Sequence, residues 1–240
     1  MAVGRGEMLY EGKSKRVWST DDPDLAVLEF KDDATAFDGK KHALVRDKAR
    51  VNCALSAHLF DLVAEAGVAH HLVQRLSPTE QLVERVEIVP IEVVVRNFVA
   101  GSLARRYGLE EGPRLDAPLV EYFYKSDPLG DPVMGAGVPV VLGWAKRWEL
   151  AYFEEQALLV NEVMGGFWSE LGVDLVDFKI EFGRTKGRLI LADELTPDGC
   201  RLWEKGTRRK LDKDVFRRDL GDLSDTYREV YRRVFGEELA

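Results

Sequence analysis

The sequence predicts an α+β fold, and three observations carry this prediction. Residues 9–30 show a strand, a turn rich in Asp and Pro, and a second strand, which indicates an antiparallel hairpin. Two stretches, 46–66 and 148–171, carry apolar residues at helical spacing and end at a glycine. Strand pairs mixed with such helices, without regular alternation of strand and helix, favour an α+β architecture over a doubly wound parallel sheet.

The remaining elements follow the same patterns. Short runs rich in β-branched and aromatic residues, punctuated by Pro and Gly, predict strands at 72–76, 81–86, 91–97 and 120–125. Two glycines bound a short helix at 101–108, and the Pro- and Gly-rich stretch 127–143 is interpreted as a mobile loop. After the second long helix we expect strands at 175–182 and 189–195 and helices at about 213–220 and 223–235.

Length and composition are those of a globular protein with ample core material. The chain has 240 residues, of which 45% are hydrophobic and 32% charged. This length suits one large domain or two closely packed lobes. Pro90 and the change of pattern around it favour a boundary near residues 84–90, which divides the chain into lobes 1–86 and 87–240.

The charge balance and the cysteine count disfavour several classes of protein. Thirty-four Lys and Arg against 42 Asp and Glu give a net charge of −8, unlike a protein that binds nucleic acid or anionic membranes through overall charge. Cys53 and Cys200 are too few for a disulfide framework, and the four histidines are scattered and complete no zinc site. No signal peptide or membrane-length apolar segment is evident, so we expect a cytoplasmic location.

The strand at 175–182 carries the clearest chemical signal. Alternation with period two puts Asp177, Lys179 and Glu181 on one face, and the apolar residues Val176, Phe178, Ile180 and Phe182 on the other. Because the apolar face must be buried, the three charges line either solvent or a cleft.

An acidic pair, Asp193-Glu194, follows the next predicted strand. A loop with an odd number of residues, or a bulge, between the two strands would put Asp193 on the face of Glu181. A loop with an even number of residues would present Glu194 instead. We favour Asp193. Two carboxylates beside a lysine suit Mg²⁺ bound to nucleotide phosphates, and a solvated ladder of cross-strand ion pairs is the alternative.

A second candidate is the lysine-bearing turn near the start of the chain. Residues 11–15 contain Gly-Lys-Ser, but five residues separate Gly6 from Gly12 where a Walker A motif needs four, and a strand follows rather than a helix. A loop that carries Lys13 and Lys15 still suits the phosphates of a nucleotide. A solvated turn is the alternative.

A third candidate is the segment that follows the apolar strand at 91–97. The strand delivers Arg96, and Gly101-Ser102 then opens a short helix, whose backbone N–H groups suit a phosphate or carboxylate. An ordinary Ser N-cap with exposed arginines is the alternative. Lys125 at the end of its strand and Arg201 after a Pro-Asp-Gly turn complete the candidates.

Taken together, these segments resemble the SAICAR synthetases, the phosphoribosylaminoimidazole-succinocarboxamide synthases of de novo purine biosynthesis. The resemblance covers nearly the whole chain. It rests on YEGKSK at 10–15, VVRN at 94–97 with GSL at 101–103, LVDFKIEFG at 175–183, DE at 193–194 with Pro197, Asp198 and Arg201, and DKD at 212–214 with Phe216 and Arg217.

The resemblance implies a two-lobed α+β fold, similar to the ATP-grasp enzymes, with antiparallel sheets and covering helices. It further implies that ATP is consumed to join the carboxylate of carboxyaminoimidazole ribonucleotide (CAIR) to L-aspartate through an acyl phosphate, in an enzyme that is often dimeric. By that likeness Lys13, Lys15, Lys125, Leu82 and Glu84 bind ATP, and Glu181 and Asp193 hold Mg²⁺. The imidazole nucleotide is bound by Arg96, Ser102, Arg201, Asp177, Lys179 and Asp198, and the catalytic residues are Lys13, Asp177 and Lys179.

The chain departs from the family pattern at one loop. After Asp131-Pro132 it is apolar and rich in glycine where relatives have an Asn and further polar residues, so only Asp131 remains a candidate there. Asp38 matches a family loop but has no assigned role. Two other classes are disfavoured: a protein-kinase-like phosphotransferase, because its G-x-G-x-x-G and H-R-D loops are missing, and a nucleic-acid module on 201–218, because the chain is acidic.

Overall fold

Strands and helices alternate irregularly along the chain in the computed structural model, which describes residues 4–36 and 41–239. In chain order the elements are β1 (Met8–Glu11), β2 (Lys15–Ser19), β3 (Leu25–Phe30), β4 (Asp33–Ala36), β5 (Lys41–Leu44), α1 (Lys48–Glu65), β6 (Leu72–Ser77), β7 (Glu80–Glu84), β8 (Glu87–Phe98), α2 (Gly101–Tyr107), β9 (Arg114–Tyr124), β10 (Val133–Met134), α3 (Gly137–Val141), α4 (Arg147–Glu170), β11 (Val173–Thr185), β12 (Arg188–Ala192), β13 (Cys200–Glu204), α5 (Asp214–Arg217) and α6 (Leu223–Phe235).

The N-terminal half forms a five-stranded antiparallel sheet in the order β1-β2-β3-β7-β6. The predicted hairpin is its centre, with Lys15 opposite Phe30 and Ser19 opposite Ala26. Alternation along β3 places Ala26, Leu28 and Phe30 on one face. Phe30 packs on Ala49 and Cys53 of α1 at one end of this face, and the other end is left to line a cleft.

The second sheet is also antiparallel, in the order β10-β9-β8-β11-β12, with β13 paired to β11. Its two central strands, β8 and β11, each have an apolar face. Helices α1 and α4 cover that face and bury it. Phe178 and Ile180 of β11 pack there with Phe153 of α4 and Leu55 of α1. The α+β class and the two long helices are therefore confirmed, and this core holds the opposite, charged face of β11 in place.

One residue of β11 lies on a different face from the one we predicted. Val176 does not share the core of Phe178 and packs with Ala100 and Trp203 in a separate cluster. The pairing of β11 with β13 is irregular between Leu175 and Asp177, which interrupts the alternation at that point.

Several expected boundaries were wrong. The strand predicted at 120–125 begins at Arg114, and the stretch interpreted as a loop at 127–143 contains a 3-10 turn, β10 and α3. The helix predicted at 213–220 is only the short α5. We missed β13, which follows a Pro-Asp-Gly turn too closely to be recognised, and the hairpin of β4 and β5.

The division into lobes at residues 86 and 87 stays a prediction. All strands of the first sheet end by Glu84, and the strands of the second begin at Glu87. Helix α1 comes from the N-terminal part, yet it shares its core with α4 from the C-terminal part. Within the described ranges, no helix is long and apolar enough to cross a membrane.

Candidate functional site

A cleft of about 770 Å³ lies between the inner face of the first sheet and the charged face of β11. One wall is apolar and consists of Val17, Ala26, Leu28 and Val83. The opposite wall is charged. The cleft contains eight of the residues to which the resemblance assigns a role: Lys13, Lys15, Glu84, Lys125, Lys179, Glu181, Asp193 and Asp198.

Glu181 is the most deeply buried acid of the charged wall, with 2% of its surface exposed. Its Oε1 accepts hydrogen bonds from Lys179 Nζ at 2.5 Å and Lys125 Nζ at 2.7 Å. A buried carboxylate is tolerated only with such partners. Although burial acts in the opposite direction, the neighbouring Glu181, Asp193 and Glu92 raise the pKa of Lys179 well above its ordinary value. Lys179 is therefore fully charged.

Glu92 is an acid of this wall that the sequence did not reveal. It lies on β8 directly opposite Glu181, and its carboxylate is 3.1 Å from Lys179 Nζ. Burial raises the pKa of Glu92, and the adjacent charge of Glu181 adds to the shift against the opposing effect of Lys179. The sequence predicted an apolar strand at 91–97, and alternation along it could have placed Glu92 opposite the buried face.

Asp193 reaches the cleft by a different route from the one we expected. Strands β11 and β12 are joined by two residues, Lys186 and Gly187, so the register is even and Ala192 lies opposite Glu181. Alternation would therefore present Glu194 to the cleft. Asp193 lies just beyond the strand with a φ of 62°, in the left-handed region, and this turn brings both acids to the cleft.

Lysine side chains hold both of these acids. Lys15 Nζ donates to Asp193 Oδ1 and lies 3.1 Å from Glu194 Oε1. Lys179 Nζ is 3.4 Å from Asp193 Oδ2. Burial raises the pKa of the Asp193 carboxyl, but Lys15, Lys179 and Lys125 outweigh that effect and hold the pKa below its usual range. Asp193 is therefore ionised beside these lysines, within one network of lysines and acids.

The two lysines of the first turn differ in their surroundings. The side chain of Lys15 is 12% exposed and sits inside the network, whereas the side chain of Lys13 is 43% exposed. Lys13 Nζ donates to Asp127 Oδ1 at 2.8 Å, which joins the turn after β1 to the 3-10 turn after β9 across the cleft. The expected site therefore has one lysine at its mouth and one in its interior.

The acids of the charged wall suit a divalent cation. Glu181 and Asp193 approach the same ammonium group, that of Lys179, from two strands. Within the described part of the chain, no group of three or more His, Cys, Asp or Glu residues is arranged to hold a metal. Mg²⁺ needs only one or two protein carboxylates when phosphate and water supply its other oxygens. The donor set fits a metal that arrives with a nucleotide.

A second ionic cluster surrounds Asp177, further along β11. Its Oδ2 accepts from Arg96 Nη1 and Arg201 Nη1, each at 2.9 Å. Arg96 also donates through Nε to Glu121 Oε2 and through Nη2 to Ser102 Oγ at 2.8 Å. The predicted residues Arg96, Ser102, Asp177 and Arg201 are thus brought together. They lie beside the cleft but do not line it.

The first residues of α2 leave space for the arginine side chains of this cluster. Its N-cap is Ala100 and has no side-chain hydrogen bond, so the alternative that Ser102 is an ordinary cap is wrong. Gly101 has a φ of 53°, and a Cβ there would lie 2.6 Å from Cζ of Arg201. Only glycine therefore lets the guanidinium group approach the start of the helix.

Asp198 lines the cleft, but buried partners hold its carboxylate. Lys48 Nζ is 2.8 Å from Oδ2, and the hydroxyl of Tyr227 donates to Oδ1 at 2.5 Å. Lys213 lies at 3.5 Å and, with Arg217, forms the cationic end of the cleft. Lys48 and Tyr227 were not predicted from the sequence. A lysine with 1% exposure at the start of an apolar helix carries no local signal of burial.

Three further expectations concern the rim and the apolar wall. Leu82 does not line the cleft, because alternation along β7 points Val83 there instead. Asp131 lines the cleft and accepts a hydrogen bond from the backbone N–H of Ser126 at 2.8 Å. Asp38 lies outside the described residues.

Known proteins resemble this chain over almost its whole length. A sequence-family model described as SAICAR synthetase matches residues 8–234. A phosphoribosylaminoimidazole-succinocarboxamide synthase of Magnetococcus marinus is 51% identical over 233 residues, which are 96% of each chain.

Solved structures agree with the sequence relatives. A structure described as "SAICAR synthetase (Type-2) in complex with ADP" has a TM-score of 0.93 and 46% identity, and the match covers 96% of this chain and 99% of that one. The corresponding synthase of Ehrlichia chaffeensis has a TM-score of 0.94 and 36% identity, and covers 97% of this chain and 100% of its own.

Proposed function

The chain belongs to the SAICAR synthetase family, and we propose that it joins the carboxylate of CAIR to the amine of L-aspartate, with conversion of ATP to ADP and phosphate. The single observation that carries this proposal is the charged wall of the cleft, where Lys15, Lys179 and Lys125 surround the buried Glu181 and the partly buried Asp193. Such a wall suits a triphosphate and its metal ion, and it faces an apolar wall that suits a purine base.

The nucleotide is proposed to lie between the two walls. The adenine ring packs against Ala26, Leu28 and Val83, and the phosphates contact the side chains of Lys13 and Lys15. Support comes from the lining of the cleft and from the relative that was solved with ADP. Glu84 lines the cleft beside this wall, whereas Leu82, the other ATP contact that the resemblance implies there, does not.

Mg²⁺ is proposed to be held by Glu181 and Asp193. When bound, the ion would neutralise phosphate charge and polarise the transferred phosphoryl group. Lys125 and Lys179 have a separate role, because their ammonium groups remain beside the acids and add positive charge where negative charge develops. These side chains are held by the network, so they need little rearrangement during the reaction.

The imidazole nucleotide is proposed to bind beside the Asp177 cluster, with its phosphate on Ser102 and Arg201. Within the described residues, the hydrogen bonds of Arg201 use Nε and Nη1, so Nη2 remains for a phosphate oxygen. Arg96 is engaged on three sides and acts mainly by positioning Ser102 and Asp177. Asp177 and Lys179 are then proposed to lie close to its base and ribose, and Asp198 is a further proposed contact.

The chemistry needs no protein nucleophile. A carboxylate is a poor acyl donor, so a carboxylate oxygen of CAIR is proposed to attack the γ-phosphorus of ATP, and ADP leaves. The aspartate amine then attacks the acyl carbon and loses a proton, and phosphate departs with the former carboxylate oxygen. Positioning and electrostatic stabilisation account for both steps.

Purified protein tests the proposed reaction through the release of ADP. We expect release only when CAIR, L-aspartate, ATP and Mg²⁺ are all present, with one SAICAR formed for each ADP. Lys15→Met is expected to abolish it, because Lys15 lies inside the charged network. Lys186→Met is the matched control, since Lys186 pairs with Asp24 at the surface, away from the cleft.

ADP release that needs neither CAIR nor L-aspartate would reject the ligase reaction. Release that needs CAIR but not aspartate, with a phosphorylated product, would indicate a simple phosphotransferase.

Three expectations from the sequence stay proposals. We propose a cytoplasmic location, which the free thiols of Cys53 and Cys200 support. We also propose small-molecule substrates and a homodimer as the partners, and the division of the chain into lobes 1–86 and 87–240.

A further inference from the structure

His71 is a buried residue of the cleft that neither the sequence nor the proposed chemistry assigns to a task. Only 3% of its surface is exposed. Its backbone N–H donates to the carbonyl of Leu191 at 2.9 Å, and its carbonyl accepts from the N–H of Glu84 at 2.7 Å. His71 therefore ties the end of β7 in the first sheet to β12 in the second.

The imidazole ring points at the backbone of Asp193. Nε2 lies 3.1 Å from the Asp193 carbonyl oxygen. A carbonyl oxygen only accepts hydrogen bonds, so Nε2 carries a proton and is the donor. The ring of Phe60 packs edge-on at 5.3 Å and fixes the ring plane.

The backbone at Asp193 needs such support. A left-handed conformation is disfavoured for a residue other than glycine and persists where the surroundings support it. The even register of β11 and β12 would otherwise turn the Asp193 side chain away from Glu181. A donor fixed on the Asp193 carbonyl sets the orientation of the peptide that follows it.

We propose that His71 is a positioning residue that holds Asp193, through the Nε2–H bond to its carbonyl, in the turn that directs its carboxylate to Lys15 and Lys179. A histidine that merely fills space would contribute to stability alone. The inference rests on the proposed function in one respect, the assignment of Asp193 as a metal ligand.

A matched pair of substitutions distinguishes a residue that positions Asp193 from one that only fills space. His71→Gln keeps an amide donor on a flexible side chain, and His71→Met has similar length and flexibility but no donor. We expect His71→Met to raise the Mg²⁺ concentration for half-maximal activity about 10-fold or more, within the range for residues that orient metal ligands. For His71→Gln we expect a Mg²⁺ concentration for half-maximal activity close to that of the unsubstituted protein. The KM for L-aspartate should change less than about 2-fold in both variants.

Binding provides a readout that does not depend on turnover. Calorimetry of ADP with and without Mg²⁺ should show that His71→Met weakens the Mg²⁺-dependent part of ADP affinity and leaves metal-free binding unchanged. Thermal unfolding establishes that each variant is folded. If His71→Met does not fold, His71→Asn replaces it, because its shorter amide cannot reach the Asp193 carbonyl.

A double-mutant cycle completes the test. In an Asp193→Asn background, His71→Met should cause less than about a 2-fold further change, because the carboxylate that it positions is gone. Full, independent effects of the two substitutions, or an equal loss in His71→Gln and His71→Met, would overturn the inference. If Asp193→Asn leaves the Mg²⁺ dependence unchanged, the metal assignment itself is wrong and the inference falls with it. If Asp193→Asn alters it and His71→Met does not, only the inference fails.

Discussion

Glu181→Gln is expected to reduce kcat about 100- to 1,000-fold, the usual cost of removing one preorganised charged or polar group from a reaction site. The substitution preserves the shape of the side chain and removes its charge. It takes away one proposed metal ligand and leaves Lys125 and Lys179 without the acid that both now contact. The measurement is kcat as a function of Mg²⁺ concentration, where the half-maximal concentration should rise.

Glu92→Gln is the matched control for this substitution. Glu92 lies opposite Glu181 and contacts the same lysine, but it is not a proposed metal ligand. We expect a loss of less than about 10-fold and an unchanged Mg²⁺ requirement, since Lys179 keeps Glu181. An unchanged Mg²⁺ dependence in both Glu181→Gln and Asp193→Asn would reject this pair of acids as the metal ligands.

Asp177→Asn is expected to destabilise the protein by about 3 kcal/mol, the lower end of the range for breaking a buried ion pair. The Asp177 carboxylate is 3% exposed and binds one nitrogen of Arg96 and one of Arg201. Each arginine keeps one other acid, Glu121 or Asp214, which places the cost at the lower end. Denaturant unfolding measures the free energy of unfolding, and the KM for the imidazole nucleotide should rise about 10-fold or more.

Asp174→Asn tests whether this effect is specific to the arginine cluster. Asp174 lies three residues earlier on β11 and lines a different cavity, beside α4 and the end of β8. We expect its substitution to change stability by less than about 0.5 kcal/mol and to leave the KM unchanged. Equal effects of the two substitutions would contradict the assigned role of Asp177.

The sequence predicts the charged face of β11 well because that prediction needs only local information. Alternation within one strand sets the side on which Lys179 and Glu181 lie, and the apolar side chains of Phe178 and Ile180 identify the buried side. Helices α1 and α4 were recognisable for the same reason, since their apolar positions recur within a few residues. Val176 was misplaced because an irregular pairing with β13 is not encoded in its neighbours.

Asp193 shows the limit of this reasoning. Counting along the strand predicts its face only while the backbone stays extended. Aspartate adopts a positive φ more readily than most residues, but that tendency alone does not mark position 193. The contacts that support it also come from far away in the chain. His71 is 122 residues from Asp193, and Lys15 is 178 residues from it. Such partners become visible only when the two sheets are assembled.

A crystal of the protein with ADP and Mn²⁺ measures directly whether Glu181 and Asp193 hold the metal ion of the nucleotide. Mn²⁺ shares the preference of Mg²⁺ for oxygen ligands, and its anomalous scattering identifies its position. We predict one anomalous peak at about 2.1 Å from an oxygen of each carboxylate, with a phosphate of ADP as a further ligand. A metal peak beside the nucleotide but away from both acids would contradict the proposed site.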